Sequence, residues 1–99
     1  MTQFADTEYR VTFSIDIDLG PGEDLAVSGD LPSLGMWTDF SKFAMVRASG
    51  NSYVSAKPFV TDKFFFQYKY VIINSNKELI RWELGVNRIA DLEVLNTDG

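Results

Sequence analysis

The segment Lys63 to Ile73 (KFFFQYKYVII) limits most strongly what this chain can fold into. In an extended strand successive side chains alternate between faces. That puts Phe64, Phe66, Tyr68, Tyr70 and Ile72 on one side and Phe65, Gln67, Lys69, Val71 and Ile73 on the other. The first side is almost wholly aromatic and calls for a core. The second sets an amide and an ammonium in an apolar strand, where burial without partners is costly. Gln67 and Lys69 are therefore expected to face solvent, or something that arrives from it.

The rest of the chain supplies further strands. Glu8 to Asp18 alternates, with Val11, Phe13, Ile15 and Ile17 inward and Arg10, Thr12, Ser14, Asp16 and Asp18 outward. Gly20, Pro21 and Gly22 mark a turn, and Glu23 to Asp30 reads as a strand with Leu25 and Val27 inward. Leu31 to Phe40 has no period of two and contains Pro32 and Gly35, so it reads as a structured loop. Strands are expected at Lys42 to Ala48 and at Ser52 to Lys57, where Pro58 ends the second. After the central strand, Asn74 to Lys77 is a polar turn and Glu78 to Glu83 a returning strand. Leu84 to Arg88 is a loop, and Ile89 to Leu95 a last strand followed by a polar tail. No segment carries a useful helical stripe. About seven short antiparallel strands divided by turn signals predict an all-β, immunoglobulin-like β-sandwich.

With 99 residues, 45% hydrophobic and 23% charged, residues 1 to 99 suffice for a single domain, its core falling between about residues 8 and 95. No apolar run has membrane-spanning length, so a membrane partner is not expected. Met1 to Asp6 lacks the basic start and apolar stretch of a signal peptide, which points to an intracellular protein or a piece of a longer one. The chain has no cysteine and no histidine, which removes thiolate chemistry, Ser-His-Asp triads and most zinc sites. No cofactor is implied. A net charge of -5 without a basic cluster repels phosphate backbones, so nucleic acid is not expected as a partner. The acidic excess, including Asp16, Asp18, Glu23, Asp24 and Asp30, reads as solvated surface, and its spacing fits no calcium loop.

Two tryptophans then draw attention. Trp82 lies near a strand end with Ile80 and Leu84 on its nominal face, a pattern that suits core filling; Trp37 follows Gly35 and Met36 in an irregular loop, where a large aromatic suits contact better. Both readings stay open on residue type alone. Phe13, Phe64, Phe66, Tyr68 and Tyr70 read as core.

Four pieces in order, Ala26-Val27-Ser28-Gly29, Leu34-Gly35-Met36-Trp37, Phe66-Gln67-Tyr68-Lys69-Tyr70 and Trp82-Glu83-Leu84-Gly85-Val86-Asn87-Arg88, resemble a starch-binding domain of carbohydrate-binding module family 20. The resemblance covers roughly residues 9 to 95. It implies a non-catalytic sandwich that binds α-1,4-glucans (starch, glycogen, maltooligosaccharides, cyclodextrins) and is fused to a catalytic domain in a parent chain. It also implies that Trp37 and Trp82 are the stacking pair, that Lys69 and Asn87 hydrogen-bond sugar hydroxyls, and that Gln67 stands where many relatives have Glu. Glu83 matches in position, although a solvated or backbone-bonding carboxylate is an equal reading, and Arg88 reads as the structural partner of a nearby carboxylate. Met36 and Val86 depart from the Asn and Pro common in relatives. The second sugar site of the family is expected to be absent or degenerate, with Tyr53 in packing. Two other classes remain: a protein-interaction domain on the same sandwich, and a glycosidase using two carboxylates, for which so small a sandwich offers no deep cleft.

Overall fold

The computed structural model describes residues 8 to 95, so Met1 to Asp6 and the polar tail lie outside the described residues. The expected all-β, immunoglobulin-like sandwich is what forms. Its strands are β1 (Tyr9–Val11), β2 (Ser14–Asp16), β3 (Asp24–Gly29), β4 (Met45–Ser49), β5 (Ser52–Ser55), β6 (Phe59–Thr61), β7 (Phe65–Ile73), β8 (Leu79–Trp82) and β9 (Arg88–Asp91). A 3-10 turn at Pro32–Leu34 precedes the Trp37 loop, and a helical turn, α1 (Leu92–Leu95), follows β9.

The number of strands exceeds seven for physical reasons. Glu8 to Asp18 breaks in two because the chain changes partner: β1 pairs with β6, and β2 with β5. At the break the Ser55 hydroxyl oxygen accepts from the Phe13 N–H at 2.6 Å and replaces a ladder bond. The strand expected to reach Lys57 stops at Ser55, and after Pro58 the chain re-enters the sheet at Phe59 as β6. The expected strand Ile89 to Leu95 stops at Asp91 and coils into α1.

One layer is built on β7, which pairs with β3 along one edge. Its other edge is shared. The half from Val71 to Ile73 pairs with β8, and the half from Phe65 to Tyr68 pairs with β9. The link from β8 to β9 therefore leaves the ladder midway along β7, opposite Lys69. The other layer carries β2, β5 and β4 together with the β1–β6 pair. Between the layers lie Phe13, Leu25, Val27, Phe59, Phe66, Tyr70 and Ile72, all buried. The Tyr70 hydroxyl donates to the Ser14 carbonyl at 3.2 Å across the sandwich, and burial pushes its pKa up to about 12. On the aromatic face of β7, Phe66 and Tyr70 are thus buried and Tyr68 is partly buried against the core, whereas Phe64 precedes the strand and is 47% exposed.

The outer face of β7 is divided. Ala26, Val71 and Ile73 are buried there beneath Phe40 and Leu79, whereas Phe65 and Ile89 at the β9 end are exposed. The division places the candidate site at the boundary between the two halves.

Candidate functional site

The loop carrying Trp37 is wound the unusual way. Gly35, Met36 and Trp37 have φ of 84°, 52° and 68°, a single left-handed turn. Thr38 and Asp39 both donate their N–H to the Gly35 carbonyl at 3.0 Å and close it. Left-handed backbone costs an ordinary L-residue about 1–2 kcal/mol. Met36 and Trp37 hold it only because Leu34, fully buried, anchors the loop and Gly35 bridges to Gly29 in parallel register. The Asn that relatives often carry before this tryptophan suits left-handed backbone better than Met36 does. The turn lays the Trp37 indole over the outer face of β7, half-buried.

Trp82 reaches the same place from β8. It pairs with Val71 and so shares the outer face. The bulge between Ile72 and Ile73 throws Ile80 out of register, and Leu84 is 96% exposed, so the apolar partners that suggested core packing for Trp82 are not there. Its indole meets Trp37 with ring centroids 6.2 Å apart and planes at 56°, and Phe40 supports it edge-on at 5.4 Å. Trp82 remains 37% exposed. Phe40 was invisible to sequence reasoning as a member of the site, since it sits in a loop with no period to place it.

Lys69 departs from expectation. Only 8% exposed, it does not project into solvent. Its ammonium donates to the carbonyls of Glu83, at 2.7 Å, and Gly85, filling the gap where β8 has left and β9 has not yet arrived. Two of its three donors are thus occupied by backbone, which leaves one for another acceptor. The neighbouring Asn87 donates its side-chain amide to the Gln67 side-chain carbonyl at 3.0 Å. Among the described residues the Gln67 amide N–H groups and the Asn87 side-chain carbonyl have no further hydrogen-bond partner. Trp37, Lys69, Trp82 and Asn87 line one shallow open hollow of about 350 Å³.

Glu83 engages its carboxylate within the protein. Its carboxylate accepts from the Arg88 guanidinium in bidentate fashion, at 2.9–3.1 Å, and from the Tyr70 N–H at 3.0 Å. It closes the strand gap from the side away from the indoles. Arg88 takes the expected structural role and stacks over the Tyr70 ring at 5.1 Å. Burial pushes the Glu83 carboxyl up, but the Arg88 and Tyr70 hydrogen bonds and the charges of Arg88 and Lys69 outweigh it, so its pKa lies below the ordinary 4.5. A carboxylate with a depressed folded pKa contributes its stability in full above the unfolded value and loses it as pH falls through the folded one. Acid unfolding of Glu83→Gln should therefore begin from a lower stability at pH 7 and show a shallower loss below about pH 4.5 than the parent. Parallel acid titration curves for the two chains would contradict this placement.

Tyr53 is buried, and Arg47 lies over its ring at 5.8 Å, so it packs as expected and presents no platform. Among the described residues no cluster of three or more Asp or Glu could hold a metal ion, and no helix is long and apolar enough to cross a membrane.

Comparison with known proteins gives a family and two relatives. The sequence profile described as "Starch binding domain" matches residues 8–97. A glucoamylase of Neurospora crassa is 32% identical over 85 residues, 80% of this chain and 13% of that protein. In structure, the glycoside hydrolase family 15 glucoamylase from Hypocrea jecorina superposes with a TM-score of 0.75 at 18% identity, over 89% of this chain and 15% of that one. The chain therefore spans about an eighth of the length of the curated relative it matches.

Proposed function

The chain belongs to the starch binding domain family, and from that premise we propose that it holds α-1,4-linked glucans in the hollow of Trp37, Trp82, Lys69 and Asn87. The observation that carries this is the sharing of one open hollow by the two indoles and the lysine. A glucose ring has a face of C–H groups and a rim of hydroxyls, so its receptor needs flat apolar platforms and a few polar groups. Two indoles splayed at 56° offer platforms turned relative to each other, as neighbouring rings of a curved chain are. The remaining Lys69 donor, the Asn87 carbonyl and the Gln67 amide suit the rim. Glu83 serves indirectly, by fixing the loop that carries Asn87. Starch, glycogen, maltooligosaccharides and cyclodextrins all present this chemistry.

The chain is a carbohydrate-binding module by family, and no catalytic role is assigned to it. Both relatives are glucoamylases, many times longer than this chain. We infer that the module, as one domain, keeps an attached glucan-active enzyme at its polymer by raising effective concentration.

Titration with β-cyclodextrin, followed by tryptophan fluorescence, tests the reading. A saturable change with a Kd of roughly micromolar to millimolar is expected for two stacked rings and a few hydrogen bonds, with no reducing sugar released from amylose. A folded chain that gives no response would move the assignment to a protein partner, and release of sugar would make it a glycosidase.

A further inference from the structure

The half of the outer sheet face that the Trp37 loop leaves uncovered carries two exposed apolar side chains beside Gln67 and Asp91. Phe65 is 50% exposed and Ile89 is 61% exposed. They are diagonal neighbours on one face, since Ile89 pairs with Gln67 and Phe65 with Asp91. Gln67 stands between Phe65 and Lys69 on alternate positions of β7, and its side chain is bonded to Asn87. The outer-face positions of β7 therefore run from Lys69 through Gln67 to Phe65, with Ile89 beside Gln67 on β9. Four residue steps along the strand take Lys69 to Phe65, roughly 13 Å.

Isolated apolar side chains on a surface need no explanation. This pair differs in lying beside the Gln67–Asn87 amide pair, whose Asn87 lines the hollow. Asp91 flanks the far end. Such an alternation of ring-sized apolar surface and amides suits a neutral polyhydroxyl chain.

We propose that Phe65 and Ile89 extend the sugar site along β7, so that a glucan chain longer than the tryptophan hollow continues over Gln67 and Asn87 to a second footing on Phe65. The extension rests on the reading of the hollow as a sugar site, and it makes the module selective for chain length. The residues are exposed, so their replacement leaves the core intact.

Calorimetric titration of maltotriose and maltoheptaose against the parent chain, Phe65→Ala, Ile89→Thr and Trp82→Ala separates the two claims. The parent should bind maltoheptaose at least about tenfold more tightly than maltotriose, a gain of the size expected for another stacked ring. In Phe65→Ala most of that gain should vanish while the maltotriose Kd and the melting temperature stay as in the parent, and Ile89→Thr should reduce it in part. Trp82→Ala should lose both ligands. If Phe65→Ala keeps the parent's length preference while Trp82→Ala loses both ligands, the extension is overturned and the hollow stands. If Trp82→Ala binds both as the parent does, the hollow reading fails and the extension with it. Sedimentation showing that Phe65→Ala instead abolishes self-association, at unchanged length preference, would assign the patch to a second copy of this chain.

Discussion

Trp82→Ala is expected to weaken β-cyclodextrin binding by about tenfold to a hundredfold, the size of one lost stacking platform at about 1–3 kcal/mol. The indole also packs on Phe40 and Trp37, so a modest loss of stability should accompany the change. Trp82→Phe, which keeps a flat ring, should fall between the two. Trp37 permits a cleaner separation. Its backbone is left-handed, with φ of 68°, so Trp37→Gly removes the indole while relieving strain of about 1–2 kcal/mol. Binding should fall as far as in Trp82→Ala, with a melting temperature that drops less than in Trp37→Ala. A Trp37→Gly chain that binds normally would show that this indole is packing alone. Fluorescence or calorimetric titration, with thermal melts as control, reads all four variants.

Gly35→Ala should produce the largest loss of stability. A Cβ built at Gly35 lies 1.9 Å from the carbonyl oxygen of Asp39 and 2.9 Å from its carbon, both backbone atoms of the same turn. Its φ of 84° adds strain that an alanine must bear. The loop cannot relax locally, because the Gly35 carbonyl closes the turn by accepting from Thr38 and Asp39. We expect a loss of at least about 2 kcal/mol, or about 8 °C in melting temperature for a chain of this size. Sugar binding should be lost beyond what the remaining folded fraction explains, since Trp37 stands two residues along the same turn. A stable Gly35→Ala chain with normal affinity would mean that the left-handed turn does not place the indole.

The architecture was largely legible in the sequence because period-two patterning reports directly on which face of a strand is buried. Phe66, Tyr70 and Ile72 are in the core for that reason. The pattern failed where partners change. The exchange of β6 for β5 at Phe13, and of β8 for β9 opposite Lys69, depends on pairing between distant segments that local alternation does not encode. Lys69 shows the consequence. A lysine on an apolar strand face is costly to bury, yet here the strand gap leaves two carbonyls that need a donor, and the ammonium supplies it. The same gap explains why Glu83 serves Arg88 and Tyr70. The meeting of Trp37 with Trp82 was legible only through the family resemblance, since nothing in the spacing of 45 positions brings a loop and a strand end together. Phe40 left no signal, and the left-handed backbone at Met36 left at most the contrast with Asn in relatives.

The most direct measurement is the indole N–H resonances of Trp37 and Trp82 in an NMR titration with maltoheptaose. Because the protein has two tryptophans, the two signals are assignable by single replacement. Both should shift and saturate with one shared Kd, together with the backbone amides of the segment from Glu83 to Asn87, whose carbonyls hold Lys69. If saturating sugar leaves both indole signals in place, or moves residues on another face instead, the glucan does not lie on this pair of rings.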